Sequence, residues 1–202
     1  MGMRSAALLC LGLLVSACDG GEPAPSAAGE TPAEAPDPAI AAAAAAEAAA
    51  LSSCAAVTAE GYCGIRFGMT AEAATAAFPV ALESYESGPS QTPDPARCHE
   101  MFAVEPVTGF SLLVEGGVVG RMDFLTPTAR TANGFGVGSQ ADAIRAAFGA
   151  AVSETPSTYE PEITDLAVAQ GAAKFVFEID DNVVRSWRAG VAPSIDYPAH
   201  CS

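Results

Sequence analysis

Apolar and polar positions alternate along the stretch 173–180, with Phe175, Phe177 and Ile179 on one side and Lys174, Val176 and Glu178 on the other. That period of two predicts a half-buried strand. Phe110–Glu115 stands 65 positions earlier and maps onto Phe175–Asp180. Two more segments share the offset: His99–Val104 maps on Thr164–Ala169, and Val118–Phe124 on Val183–Ala189, with Val118-Val119 opposite Val183-Val184. Gly116-Gly117 and Asp181-Asn182 occupy the same slot, and both pairs tolerate the positive φ that a two-residue hairpin requires.

Upstream of each strand set lies a second matching block. Gly64-Ile65-Arg66-Phe67-Gly68-Met69-Thr70 leads on to Phe78, and Gly134-Phe135-Gly136-Val137-Gly138-Ser139 leads on to Phe148. In each copy a Thr or Ser opens a short amphipathic helix. Ser139 with Asp142 reads as a capping box, Glu72 puts negative charge in a first turn, and Pro79 and Gly149 end the two helices. The inward stripes are Ala74, Ala77 and Phe78, then Ile144, Ala147 and Phe148. The expected fold class is α+β: two tandem helix–three-strand repeats, over about 64–125 and 134–190, form an antiparallel sheet with helices on one side.

The pattern changes before residue 52. Arg4, an apolar run from Ala6 to Val15 and Ser16-Ala17 before Cys18 make residues 1–17 a signal peptide. The run is shorter than the roughly 20 apolar residues that span a bilayer. Val15-Ser16-Ala17-Cys18 resembles the bacterial lipobox, which makes Cys18 the lipid-bearing first residue of the mature chain; an ordinary secretion signal containing a Cys is the alternative. By the enterobacterial pattern Asp19 implies the inner membrane, with the outer membrane open. After Cys18, residues 19–51 of the 18–51 segment are mostly Ala, Pro, Gly and acid, and no Lys or Arg occurs between Arg4 and Arg66. Such a segment is expected to be a disordered tether, with transient helix over Ala41–Ala50.

Charge and cysteines then narrow the class. Nine Lys and Arg against 24 Asp and Glu give −15 over 202 residues, which excludes generic binding to nucleic acid and adhesion to anionic lipid. Membrane contact is therefore expected through the N-terminal lipid only. With Cys10 in the signal and Cys18 lipidated, Cys54, Cys63, Cys98 and Cys201 remain, an even number that points to two disulfides outside the cytosol. Of three connectivities, Cys54–Cys63 with Cys98–Cys201 is the expected one. His99 and His200 adjoin Cys98 and Cys201, so a Cys₂His₂ zinc site is the competing reading, disfavoured because adjacent side chains rarely converge on one ion.

Candidate chemistry is sparse, and no catalytic residue, cofactor or metal is expected. The loop 134–139 lacks the Lys of a P-loop and the βαβ context of a dinucleotide fingerprint. Glu160 and Glu162 are paired acids in a Pro-containing loop, where solvation explains them without glycosidase chemistry. Asp180-Asp181-Asn182 lacks EF-hand spacing and reads as a turn. Trp187 and Arg185 fall two apart on the last strand, and both types are enriched at interface hot spots. The candidate interaction face is therefore Trp187, Arg185, Arg188, Lys174 and Tyr159. Two alternatives stand beside it: Trp187, aligned with Met122, fills the core, or Trp187, Phe102 or Tyr159 lines a pocket for a small ligand or glycan.

The phrase Gly64–Thr70 opening a helix, its echo at Gly134–Ser139, and Arg185-Ser186-Trp187-Arg188-Ala189-Gly190 before Cys201 resemble a group of exported bacterial proteins. These in turn look like β-lactamase inhibitory protein and the small lipoprotein of the outer-membrane β-barrel assembly machine. The resemblance covers roughly residues 62–202 and implies a non-catalytic protein that works by contact, without naming a target. The expectation is a lipid-anchored periplasmic protein–protein interaction module, an envelope-assembly accessory or an inhibitor of a periplasmic or wall enzyme, whose partner is an unidentified envelope protein. The alternatives are a small-ligand or glycan-binding module and a hydrolase.

Overall fold

In the chain, β-branched and aromatic residues at alternate positions favour strands wherever one face is buried. The structure, a computed structural model, describes residues 37–84 and 98–201. The signal peptide, Cys18, Asp19 and residues 18–36 of the expected tether lie outside the described residues. In order, the elements are α1 (Pro38–Ala50), β1 (Gly61–Tyr62), β2 (Ile65–Arg66), α2 (Ala71–Ala77), β3 (Leu82–Ser84), β4 (His99–Ala103), β5 (Phe110–Glu115) and β6 (Val118–Phe124). Then follow α3 (Ala141–Phe148), β7 (Val152–Pro156), β8 (Thr164–Gln170), β9 (Ala173–Asp180) and β10 (Val183–Val191). The fold is α+β, with a two-stranded β1–β2 sheet and an eight-stranded sheet in the order β3-β4-β5-β6-β10-β9-β8-β7. Every pairing in the large sheet is antiparallel.

The six strands with clear alternation fall where the pattern predicts them. Strands β3 and β7 were not expected, so each helix precedes four strands rather than three. Both lie at the sheet edges, where β7 is mostly exposed and ends in Pro156, so neither carries a two-sided hydrophobic signal. Tight turns at Gly116-Gly117 and Asp181-Asn182 have positive φ at all four residues, as a hairpin twisting with its strands requires.

Two bulges set the phase of the central strands. The β5–β6 register slips between Leu113 and Val114 and leaves Gly120 unpaired, and the β9–β10 register slips so that Arg185 is the extra residue. A bulge moves everything after it to the opposite face. Arg185 and Trp187 therefore do not share a face, contrary to the strict two-residue count.

Ala74 and Phe78 of α2 and Ala141 and Ile144 of α3 join one core with Leu112, Met122, Phe124, Phe177 and Trp187. Both helices thus cover one face of the sheet. Ala77 and Ala147 point outward instead of joining the inward stripes, and Phe148 is only half-buried. Thr70 caps α2, its Oγ1 accepting from the Ala73 amide at 3.2 Å. The N-cap of α3 is Gln140 rather than Ser139, whose Oγ accepts from the Gly136 amide at 3.1 Å. Helices this short are marginal alone and stand on their packing.

The stretch 37–51 is not a disordered tether. Asp37 caps α1 by accepting from the Ala39 amide at 2.8 Å, and Pro38 sits at a first helical position where its missing N–H costs nothing. Glu47 is buried and accepts from the Thr126 hydroxyl at 2.8 Å, while Leu51 enters the core. One carboxylate in a run of Ala has no periodicity to announce it.

Candidate functional site

The alternation that sends Met122, Phe124, Trp187 and Phe177 into the core sends Arg121, Asp123, Arg188 and Glu178 to the helix-free face. In the join between β6 and β10, Asp123 pairs with Arg188 and Gly190 with Arg121. Four charged side chains thus meet at the middle of the sheet. Buried charge is costly unless paired and hydrogen-bonded, and here both guanidiniums are held. Arg121 binds Asp123 through Nε at 2.9 and 3.0 Å and Nη2 at 2.6 Å. Arg188 donates to Glu178 at 2.8 Å and to Asp165 at 2.9 Å.

A C-terminal strap, residues 192–201, crosses this face. Arg121 Nη1 donates to the carbonyls of Tyr197 and Ala199 at 3.1 and 3.2 Å. Glu115 accepts from Ser194 at 2.8 Å and from the Tyr197 hydroxyl at 2.7 Å. Lys174 pairs with Asp196, and Ile195 is buried. His200 Nδ1 lies 2.8 Å from Glu100 Oε1, which holds the imidazole pKa above its ordinary 6.5, while Nε2 lies 3.9 Å from Asp123. The Cys98–Cys201 disulfide ties the strap's end to the start of β4, and Cys54–Cys63 closes a short loop beside α2.

Between strap and sheet is a cavity of about 280 Å³. Arg121, Asp123, Arg188 and Glu178 line it from below, Pro198, Ala199 and His200 from the strap, and Leu125 at one side. Leu125 is 62% exposed, which puts an apolar side chain at the rim. Phe102 also lines the cavity.

The residues proposed from sequence for an interaction face separate into three environments. Trp187 is corrected: it is 2% exposed, stacked on Phe124 and Phe177 with ring centroids 4.4 and 5.5 Å away, and belongs to the core. Arg188 is corrected too, because its side chain is 8% exposed and ion-paired below the cavity. Arg185, Lys174 and Tyr159 remain at the surface. Arg185 grips Glu160 with two bonds at 2.7 and 2.8 Å, which raises the guanidinium pKa and lowers that of the carboxyl. Tyr159, next to Glu160, is 65% exposed.

The other chemical candidates resolve locally. Glu160 is engaged by Arg185, so it is not one of two free acids with Glu162. Arg130 fills the loop 134–139, donating to the carbonyls of Gly134 and Val137 and to Ser139 Oγ. Cys98 and Cys201 are bonded to each other, and among the described residues no group of three or more His, Cys, Asp or Glu is placed to hold a metal ion. Arg121, Asp123 and Glu178 were not singled out as site residues from sequence, and His200 was weighed there as a zinc ligand beside Cys201. Opposite charges two apart in β6, alternating with Met122 and Phe124, were the signal that a polar site faces away from the core.

No family model and no curated protein matches the chain. Among solved structures, the crystal structure of the uncharacterized protein yfeY from Escherichia coli is similar, with a TM-score of 0.46 and 10% identity, covering 68% of this chain and 99% of that one.

Proposed function

We propose that the chain is an exported, lipid-anchored bacterial protein that acts by contact in the cell envelope. In this reading the signal peptide ends before Cys18, Cys18 carries the lipid, and residues 18–36 space the domain from the membrane. The two disulfides fit an oxidising compartment. The domain is a tandem duplication of a helix-plus-strands unit. Supporting that, Gly68 and Met69 bond Val119 as Gly138 and Ser139 bond Val184, and the two bulges fall at Gly120 and Arg185, again 65 apart. In that alignment Asp123 and Arg188 are equivalent, so a pseudo-twofold axis passes through their pairing.

The function is recognition of a partner protein, as an assembly accessory or an inhibitor of a periplasmic or wall enzyme. The observation that carries this reading is the helix-free face itself. It presents paired charges, with Leu125 exposed at the cavity's edge and Tyr159 exposed next to Glu160 in sequence. Catalysis fits less well. Asp123, Glu178, Asp165 and Glu160 are each held by a guanidinium, and His200 sits between two carboxylates rather than against a hydroxyl. A general base needs a free, matched site for its proton. The test is affinity capture from cross-linked native envelopes with the wild type and with a Leu125→Asp/Tyr159→Asp variant. One defined envelope protein retained by the wild type and lost by the variant supports the reading. Capture unaffected by these substitutions overturns it.

A further inference from the structure

The cavity under the strap is built differently from the exposed rim. Its size is near the lower end of small-molecule sites, which run from roughly 300 to 1,000 Å³. Its floor mixes signs, with guanidiniums from Arg121 and Arg188 beside carboxylates from Asp123 and Glu178. A simple anion or cation entering it meets equal charge of its own sign. A molecule carrying both charges meets a partner for each.

The two arginines are not equivalent as donors. Arg121 spends its N–H groups on Asp123 and on two strap carbonyls. Arg188, nine-tenths buried, makes two hydrogen bonds from five N–H groups. Its Nε and the Oδ1 of its partner Asp165 are buried with no hydrogen-bond partner among the described residues. Of the two residues only Arg188 lines the cavity, so its unused N–H capacity is what a ligand there can meet, most buried polar groups being satisfied. The hydroxyl of Ser111, also in the lining, makes no hydrogen bond among the described residues. Leu125 and Pro198 complete the walls with apolar surface.

We propose that this cavity binds a small zwitterion of the amino-acid or dipeptide class, its carboxylate against Arg188 and its ammonium against Asp123 and the hydroxyl of Ser111, the three residues standing in one row across β5, β6 and β10. The apolar rim receives the side chain. Charge-assisted bonds of this kind are the strong ones, and more so where the surroundings are partly buried. The zwitterion site shares Leu125 with the protein-contact reading but rests on the charged floor below the strap, so the calorimetric probes and Ser111→Ala test it apart from that reading.

The test uses the purified full-length protein in detergent, with both disulfides formed, titrated calorimetrically. The probes are L-leucine and L-alanyl-L-leucine, against N-acetyl-L-leucine, L-leucine methyl ester and glucose. Binding of either zwitterion, weakened at least about tenfold when one charge is blocked, supports the proposal. Arg188→Met should abolish the heat of binding. Because that variant leaves the carboxylate of Asp165 without its cation and its fold is at risk, Ser111→Ala serves as the second variant, with an expected loss of about two- to tenfold. Absence of binding by both zwitterions at about 10 mM, equal binding of the blocked analogues, or preference for glucose overturns it. Unchanged affinity in a folded Ser111→Ala protein also counts against the pose.

Discussion

Replacing Trp187 by Ala separates a core role from a recognition role. The side chain is almost wholly buried, stacks on Phe124 and Phe177, and meets Phe175 edge-on at 5.9 Å. Removing a buried Trp or Phe costs about 3–5 kcal/mol through lost transfer energy and the cavity left behind. Aromatic pairs add about 0.5–1.5 kcal/mol each, so the upper half of the range is expected. Against a total stability of about 5–15 kcal/mol, such a loss is plain in urea unfolding followed by far-UV circular dichroism. Trp187→Phe keeps one stacked ring and should lose much less. Trp187 is the sole tryptophan, so native fluorescence reports this site directly. It should be blue-shifted and shielded from acrylamide, and should redden on unfolding. A Trp187→Ala loss below about 1 kcal/mol, or ready acrylamide quenching of the native protein, would refute the placement.

Four further outcomes follow from the same geometry. Gly190→Ala places a Cβ 2.6 Å from the Gly120 carbonyl oxygen and 3.1 Å from Arg121 Cα; both are backbone, so the β6–β10 join must open, at about 1–3 kcal/mol in urea unfolding. Arg121→Met strips Asp123 of its cation and the strap of two donors, with an expected loss of about 3–5 kcal/mol; hydrogen exchange of residues 194–200 should accelerate more than that of β8 and β9. Cys201→Ser opens a loop with a sequence separation of 103, worth roughly 4–5 kcal/mol in the chain-entropy model, and the denaturation midpoint should fall accordingly. His200 has a pKa raised by Glu100, so its contribution is complete below the unfolded value of 6.5 and is lost as pH rises through the folded value. Strap protection should therefore weaken across that window, and His200→Gln should remove the dependence.

Much of this architecture was legible in the sequence. Six strands followed from alternation, and the two hairpins from Gly-Gly and Asp-Asn. The expected disulfide pairs are also the ones formed. What escaped has physical causes. A single extra residue at Arg185 reverses the face of every later position in β10, and a strict period of two has no way to register it. Strands β3 and β7 are short edges without a buried stripe on two sides. Helix α1 docks through one carboxylate, Glu47, in a segment whose composition matches a linker. The polar site was half legible: Arg121 and Asp123 stand on the polar side of β6, but their meeting with Arg188 depends on a long-range strand pairing. Strap residues such as His200 reach the same place through the Cys98–Cys201 link, and no local pattern encodes that.

A position-by-position photo-crosslinking scan in living cells asks directly whether this protein works through its helix-free face. The crosslinker is placed at Leu125, Tyr159 and Lys174, and at the exposed Glu72 and Ala76 on α2. A shared protein adduct is expected from the first group and none from the helix positions. A shared adduct from Glu72 and Ala76 alone would contradict it.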